Sequence, residues 1–367
     1  MKIVIFGLTI SSSWGNGHAT LWRGLCKHLV RSGHAIVFFE RDVPYYAGAR
    51  DLLELPGGQL ELFSTWDDIR AKARDHILSA DAVIVTSYCP DAIAAAQLIL
   101  DQSRARAVFY DLDTPVTLAK LQAEKAVPYI GPGGLDGFDL VLSFTGGPRV
   151  ADEFHRKLGA SNVKPLYGHV DADVHRRVPP QPQYRAALSY LGTHSEDRQL
   201  ALETLFVEPA HARQDLRFLI GGAQYPDSFP WSPNIYFVRH LPPSEHAPFF
   251  SSSRLTLNVT RRAMAEMGWC PSGRLFEAAA CGTPLLSDAW AGIEAFFTPG
   301  EDILIAHDKR DTLAALQMDD AELLRIARRA RERTLAQHSS GNRASELIAL
   351  LEQTTHRRAR QPDAEEA

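Results

Sequence analysis

The stretch Ser272-Gly-Arg-Leu-Phe-Glu277-Ala-Ala-Ala-Cys-Gly282-Thr-Pro-Leu-Leu-Ser-Asp288 decides the reading of this chain. It reads as the start of a short helix, a stop at Gly282, and then a buried strand that ends in an aspartate. Arg274 and Glu277 fall side by side on the first turns. The opening N–H groups of a helix have no partner within it, and its positive dipole end faces outward, which suits a diphosphate. A carboxylate one turn further in can accept both hydroxyls of a ribose. Ser272, Gly273, Arg274, Leu275 and Glu277 therefore read as a seat for a nucleoside diphosphate.

Outward from this seat, short β-branched runs alternate with helical patterns. Strands are expected at 188–192, 216–221, 235–238, 255–259, 284–287 and 303–305, with helices at 197–207, 274–281 and 320–337. The first half has the same plan, with strands at 3–7, 35–39, 60–63, 82–86, 107–110 and 140–144 and helices notably at 19–31 and 91–100. Apolar strands alternating with helices predict parallel sheets covered on both faces. The 367 residues exceed what one core usually supports. Residues 164–182, rich in proline and charge, read as an exposed linker. The fold class is thus α/β, with two Rossmann-like domains facing a central cleft: 1–170, and 171–337. Residues 338–353 form a last helix, and 354–367 read as a frayed, charged tail.

Composition narrows the function classes. A formal net charge of −5, with 45% hydrophobic and 23% charged residues, describes an ordinary globular protein. It argues against a nucleic-acid partner, which needs a basic surface. The basic run 325–333 reads as the solvated face of a helix. The 4 cysteines are scattered, with no Cys-x-x-Cys and no histidine cluster at zinc spacing, so no metal is expected. The first strand is too short for a signal segment. No apolar run reaches the roughly 18 residues of a membrane span. A cytoplasmic protein is expected.

Loops leaving the carboxyl ends of strands in doubly wound sheets face the ligand crevice. The first is Gly7-Leu-Thr-Ile-Ser-Ser-Ser-Trp14-Gly15-Asn16-Gly17-His18. Its glycines allow sharp turns, and His18 at a helix start is a candidate base whose imidazole the dipole would keep neutral; a capping or packing role is the alternative. Asp111-Leu-Asp113 follows an apolar run; turn or capping aspartates compete with a role in orienting His18 or an acceptor. In the second half, Gly192, Thr193, Ser195 and Arg198 open a helix after a strand, where backbone amides and the Thr193 or Ser195 hydroxyl suit a phosphate with Arg198 in support; Gly222 and Gln224 form another glycine turn, which suits a flat base or a plain turn. Arg261 ends a further strand and suits a phosphate or a surface ion pair. Tyr45, in an aromatic segment with Tyr46 and Trp66, suits an acceptor surface or packing.

The chain resembles GT-B glycosyltransferases of the spore-maturation CgeB-like type, within the glycosyl transferases group 1. The carrying residues are Gly15-Asn-Gly-His-Ala-Thr-Leu-Trp-Arg-Gly, Phe39-Glu-Arg-Asp-Val-Pro-Tyr-Tyr, Asp111-Leu-Asp-Thr-Pro-Val-Thr-Leu, Leu191-Gly-Thr, Leu257-Asn-Val-Thr-Arg and Arg274-Leu-Phe-Glu-Ala-Ala-Ala-Cys-Gly-Thr-Pro. The resemblance runs from the first strand to about Ala306. It implies a UDP- or TDP-sugar donor bound mainly by the C-terminal domain, an acceptor hydroxyl bound by the N-terminal one, and transfer without an obligatory metal or other cofactor. It also implies that Glu277 holds ribose hydroxyls, that Arg274 holds phosphate, and that residues 338–353 pack back onto the N-terminal domain. Retaining members carry an acid about eight residues before the ribose glutamate, where this chain has Trp269. Inverting plant-type enzymes place a histidine like His18 as base, supported by an aspartate after the fourth strand, where this chain has Thr86-Ser87-Tyr88. Both stereochemical courses stay open, as do a nucleotide-sugar epimerase and a sugar-nucleotide-binding protein with little catalysis. No motif of the sequence encodes the sugar, the base, the acceptor or the oligomeric state.

Overall fold

The computed structural model describes residues 1–14 and 17–356. They divide into two compact units, one holding Met1–Tyr167 and the chain from Gly341, the other Gly168–Ser340.

The first unit is built on a seven-stranded sheet: β1 (Lys2–Gly7), β2 (Ala35–Arg41), β3 (Gln59–Phe63), β4 (Ala82–Thr86), β5 (Arg106–Asp111), β6 (Leu140–Ser143) and β7 (Val163–Pro165), in the order β3-β2-β1-β4-β5-β6-β7. Every pairing is parallel. Ile3, Val4, Ile5 and Phe6 are all buried, because helices cover both faces and leave no side of β1 for water. The order reverses between β1 and β4, so the loop after β1 leaves at the switch point where such sheets hold ligands. The helix Ser340–Gln353 places Ala344, Leu347 and Leu351 in this unit's core beside Ile3, Trp22 and Leu25.

The end of the chain is anchored further than the sequence suggests. Thr354 is buried, its hydroxyl donates to Leu350 O at 2.7 Å, and its carbonyl accepts from Arg106 Nε at 3.1 Å. His356 lies 3.6 Å from Asp139. The expected tail therefore does not begin at 354; its remainder, 357–367, lies outside the described residues.

The second unit has a six-stranded parallel sheet: β8 (Leu188–Leu191), β9 (Phe218–Gly222), β10 (Ile235–Arg239), β11 (Thr256–Asn258), β12 (Leu285–Asp288) and β13 (Leu304–Ala306), in the order β10-β9-β8-β11-β12-β13. Here the switch falls between β8 and β11, which brings the loops carrying Gly192 and Arg261 to one edge. The helix expected at 197–207 runs as Glu196–Leu202, opens into a π turn over Glu203–Val207, and resumes over Glu208–Ala212. The basic run is a solvated face whose Arg325, Arg328, Arg329 and Arg333 meet carboxylates.

The linker expected at 164–182 is corrected in two respects. Its first residues belong to edge strand β7, where Pro165 is tolerated because an edge needs no further donor. Beyond it, His169, Asp171 and His175 are buried rather than exposed. Val170 N donates to His338 O at 3.0 Å and Ser340 N to Val170 O at 2.8 Å, so this stretch is fastened into the second unit.

Candidate functional site

The helix Gly273–Ala280 is capped by Ser272, whose hydroxyl accepts from Arg274 N at 3.4 Å. Leu275, Phe276, Ala278, Ala279 and Ala280 bury one face, which leaves Arg274 and Glu277, three apart, on the other. A Cβ added to Gly273 would meet nothing within 4 Å, so the space before the helix is open. Leu275 lends nothing to a seat, contrary to expectation: its side chain is in the core and its N–H turns back to Ser272 O at 3.1 Å.

The charges around this helix are unbalanced. Burial lowers the Arg274 pKa, and the neighbouring Arg198 cation lowers it further, while Tyr190, Glu277 and Tyr225 work the other way. Arg198 donates from Nη2 to Thr193 O at 2.8 Å, but its buried Nε has no partner. Among the described residues, neither guanidinium has a carboxylate within ion-pair distance. Two like charges held side by side and half-buried raise the energy unless an anion joins them. Burial works to raise the Glu277 pKa, yet His175, His246 and Arg274 outweigh it and bring the carboxyl to about 2. Glu277 is therefore anionic throughout the working range.

Sequence reasoning missed both histidines. His175 Nε2 is 3.8 Å and His246 Nδ1 is 3.5 Å from the same Glu277 Oε2. Local spacing shows no histidine cluster at metal distance, but the fold assembles one, since one donor atom from each of His175, His246 and Glu277 lies within 4.8 Å of the others. His175 comes from the supposed linker and His246 from the helix Pro243–Ser251, so no short motif could have joined them.

Two expected phosphate contacts are already engaged. Arg261 Nε donates to Asp197 Oδ2 at 3.0 Å, and Ser195 Oγ donates to the same carboxylate. The ion-pair alternative for Arg261 is the one observed. Gly192 and Gly222 serve the backbone instead. A Cβ on Gly222 would sit 2.0 Å from Gly192 O, and one on Gly192 would sit 2.6 Å from the Tyr190 hydroxyl. Tyr225 Oη donates to Gly192 O at 3.0 Å, closing the two loops on each other. Gln224, at φ 64°, is exposed at the turn that follows. Gly222→Ala is expected to lower stability by at least about 2 kcal/mol in urea unfolding, through backbone collision. An unchanged midpoint would contradict this close approach. Trp269, also left-handed at φ 45°, lays its indole against Gly292, where a Cβ would come within 2.5 Å of the ring.

In the first unit a carboxylate organises the loop after β1. Glu40 is fully buried and accepts from Thr9 Oγ1 at 2.8 Å, Ile10 N at 2.7 Å, Ser11 N at 2.9 Å and Ser11 Oγ at 2.6 Å. Arg23 Nε holds Ile10 O at 2.8 Å, and Asp51 accepts from Ser13 N at 3.1 Å. The loop then reaches the exposed Trp14; Gly15 and Asn16 lie outside the described residues. Gly17 caps the helix His18–Arg31 without a side-chain bond. Burial lowers the His18 imidazole to about 4, so burial keeps it neutral. Its ring meets Tyr88 edge-on at 5.9 Å, and Tyr88 Oη donates to Asp113 Oδ2 at 3.0 Å. Tyr88 adopts φ 63°, an unusual conformation for an aromatic residue and one common at functional sites. Tyr45 stands exposed against Tyr46 on the short helix Pro44–Ala47.

Asp111 lies fully buried at the end of β5 and accepts from Asp113 N at 3.1 Å. Burial raises its carboxyl to about 6, against the Thr117 and Asp113 hydrogen bonds. A raised carboxyl pKa means that the folded chain keeps a proton which the unfolded chain releases from about pH 4 upward. Stability is therefore complete below the unfolded value and falls as pH climbs to about 6. Asp111→Asn removes this loss: thermal melting is expected to rise at pH 7, by up to about 3 kcal/mol of stability, and not at pH 4. An equal effect at both pH values would refute the assignment.

Residues 198–349 match the family model described as Glycosyl transferase-like. Sucrose-phosphate synthase from Thermosynechococcus elongatus superposes with a TM-score of 0.68 at 14% identity, covering 96% of this chain and 98% of that one. HepE from Anabaena, solved with UDP and glucose, gives 0.65 at 12% identity, over 96% and 99%. An alpha-glucosyltransferase, solved with UDP-glucose and DNA containing an abasic site, gives 0.64 at 14%, over 96% and 100%. No curated protein sequence matches the chain. The fold is GT-B, with two Rossmann-like domains.

Proposed function

We propose that the protein is a glycosyltransferase that moves a hexose-type sugar from a uridine or thymidine diphosphate donor to an acceptor hydroxyl. The observation that carries this reading is the pair of guanidinium groups, Arg198 and Arg274, with no carboxylate at ion-pair distance among the described residues, before an open helix start, with anionic Glu277 one turn behind. A diphosphate relieves their mutual repulsion, and Glu277 takes the ribose hydroxyls. UDP is the leading donor because HepE and the alpha-glucosyltransferase were solved with it. Membership in the CgeB-like type is part of the proposal and rests on the motifs quoted above. So are a cytoplasmic location and a small-molecule acceptor; among the described residues no helix is long and apolar enough to cross a membrane.

In this reading the second unit holds the donor and the first the acceptor. As the acceptor oxygen bonds to the anomeric carbon, the bond to the diphosphate breaks, and Arg198, Arg274 and the helix dipole take up the charge that develops on it. In an inverting course, neutral His18 accepts the acceptor proton, while Asp113, through Tyr88, positions the ring. No step requires a metal ion.

Thermal shift against UDP, TDP, GDP and their sugars tests the seat. Stabilisation by at least one is expected; none across the panel would end the proposal. His18→Ala is expected to lower turnover by about 10²–10⁴-fold with UDP affinity unchanged. Full turnover in the folded variant would remove His18 from the chemistry.

A further inference from the structure

His175, His246 and Glu277 hold more chemistry than ribose recognition uses. His175 is 1% exposed, and among the described residues no partner stands within close hydrogen-bond distance of either of its ring nitrogens or of His246 Nδ1. Ring nitrogens shielded from water in this state are costly, because no close hydrogen bond has replaced the water. Both rings nevertheless aim a nitrogen at one oxygen, Glu277 Oε2, from 3.8 Å and 3.5 Å. These separations exceed a hydrogen bond. They lie near the edge of about 3.3 Å expected between ligands held about 2.0–2.1 Å from a tetrahedral zinc. The rings stand 5.9 Å apart, inclined at 44°, which leaves room between their nitrogens rather than stacking them.

We infer that His175 Nε2, His246 Nδ1 and Glu277 Oε2 form a divalent metal site, with zinc the best match to two imidazoles and one carboxylate. The fourth position falls to water. Bound there, the ion gives His175 Nε2 and His246 Nδ1 a partner and ties the turn carrying His175 to two helices. It also fixes the Glu277 carboxylate while leaving Oε1 available to a ribose. The ion is a positioning element behind the seat, separate from bond making.

The test uses the full chain, stripped with EDTA and titrated with zinc sulfate against a chromophoric chelator, then with cobalt chloride for its visible spectrum. About one equivalent of zinc, an intense tetrahedral cobalt spectrum, and at least about 100-fold weaker uptake in His246→Ala are expected. Exposed His211→Ala should bind like the parent. Truncating buried His175 endangers the fold, so the partly exposed His246 decides, with circular dichroism confirming that the variant is folded. Uptake below about 0.1 equivalent at micromolar zinc, or equal uptake by His246→Ala, would overturn the inference. UDP binding by the stripped chain without zinc uptake removes the metal site alone. Zinc uptake without UDP binding supports the metal site and removes the donor reading.

Discussion

Replacing Arg274 with alanine is expected to weaken UDP binding by about 100-fold while leaving the unliganded protein at least as thermally stable. A guanidinium forked onto a phosphate contributes about 2–3 kcal/mol, because both partners are charged and little water remains to compete. Without the ligand the balance reverses. Arg274 sits in a desolvated spot beside a second cation, and both circumstances pull its pKa down, so the folded chain gains by losing the charge. Arg274→Lys keeps the charge but not the fork and should fall between the two, near 10-fold. Calorimetry with UDP and a melting curve on the same sample read both effects. A sharply lower melting temperature with UDP affinity intact would recast Arg274 as a structural residue.

The second large effect is on stability. Glu40→Ala strips the acceptor from two backbone N–H groups and two hydroxyls in a site with no access to water. The unsatisfied donors and the cavity together should cost about 3–5 kcal/mol, which lowers the melting temperature of a unit this size by about 10 °C. Glu40→Gln should cost only about 1–2 kcal/mol. Its amide oxygen can keep Ile10 N and Ser11 N, while its NH₂ meets hydroxyls that rotate to accept. Because the pinned loop leads to His18, Glu40→Ala should also lower turnover more than it lowers UDP affinity. Equal stability of the alanine and glutamine variants would show that the loop does not depend on this carboxylate.

The strands were legible because a parallel sheet covered on both faces demands unbroken apolar runs, and β1 supplies Ile-Val-Ile-Phe in four consecutive residues. β7 escaped because it is three residues long, lies at an edge, and ends in a proline that reads as a linker. In the seat, Arg274 and Glu277 were legible since their placement follows from helical spacing alone. Ser195 and Arg261 suit a phosphate on the same kind of local evidence. Asp197 engages both, and a competition between a carboxylate and an absent ligand has no signature in the order of residues.

Read by itself, the chain determined its alternating strands and helices and the helix start that offers N–H groups, a guanidinium and a carboxylate, because each depends on neighbours a few residues apart. Only the tertiary structure set Arg198 beside Arg274, buried Glu40 under its loop, and brought His175 and His246 to one carboxylate oxygen. Those contacts join segments far apart along the chain, and packing of the sheet and its covering helices fixes their distances.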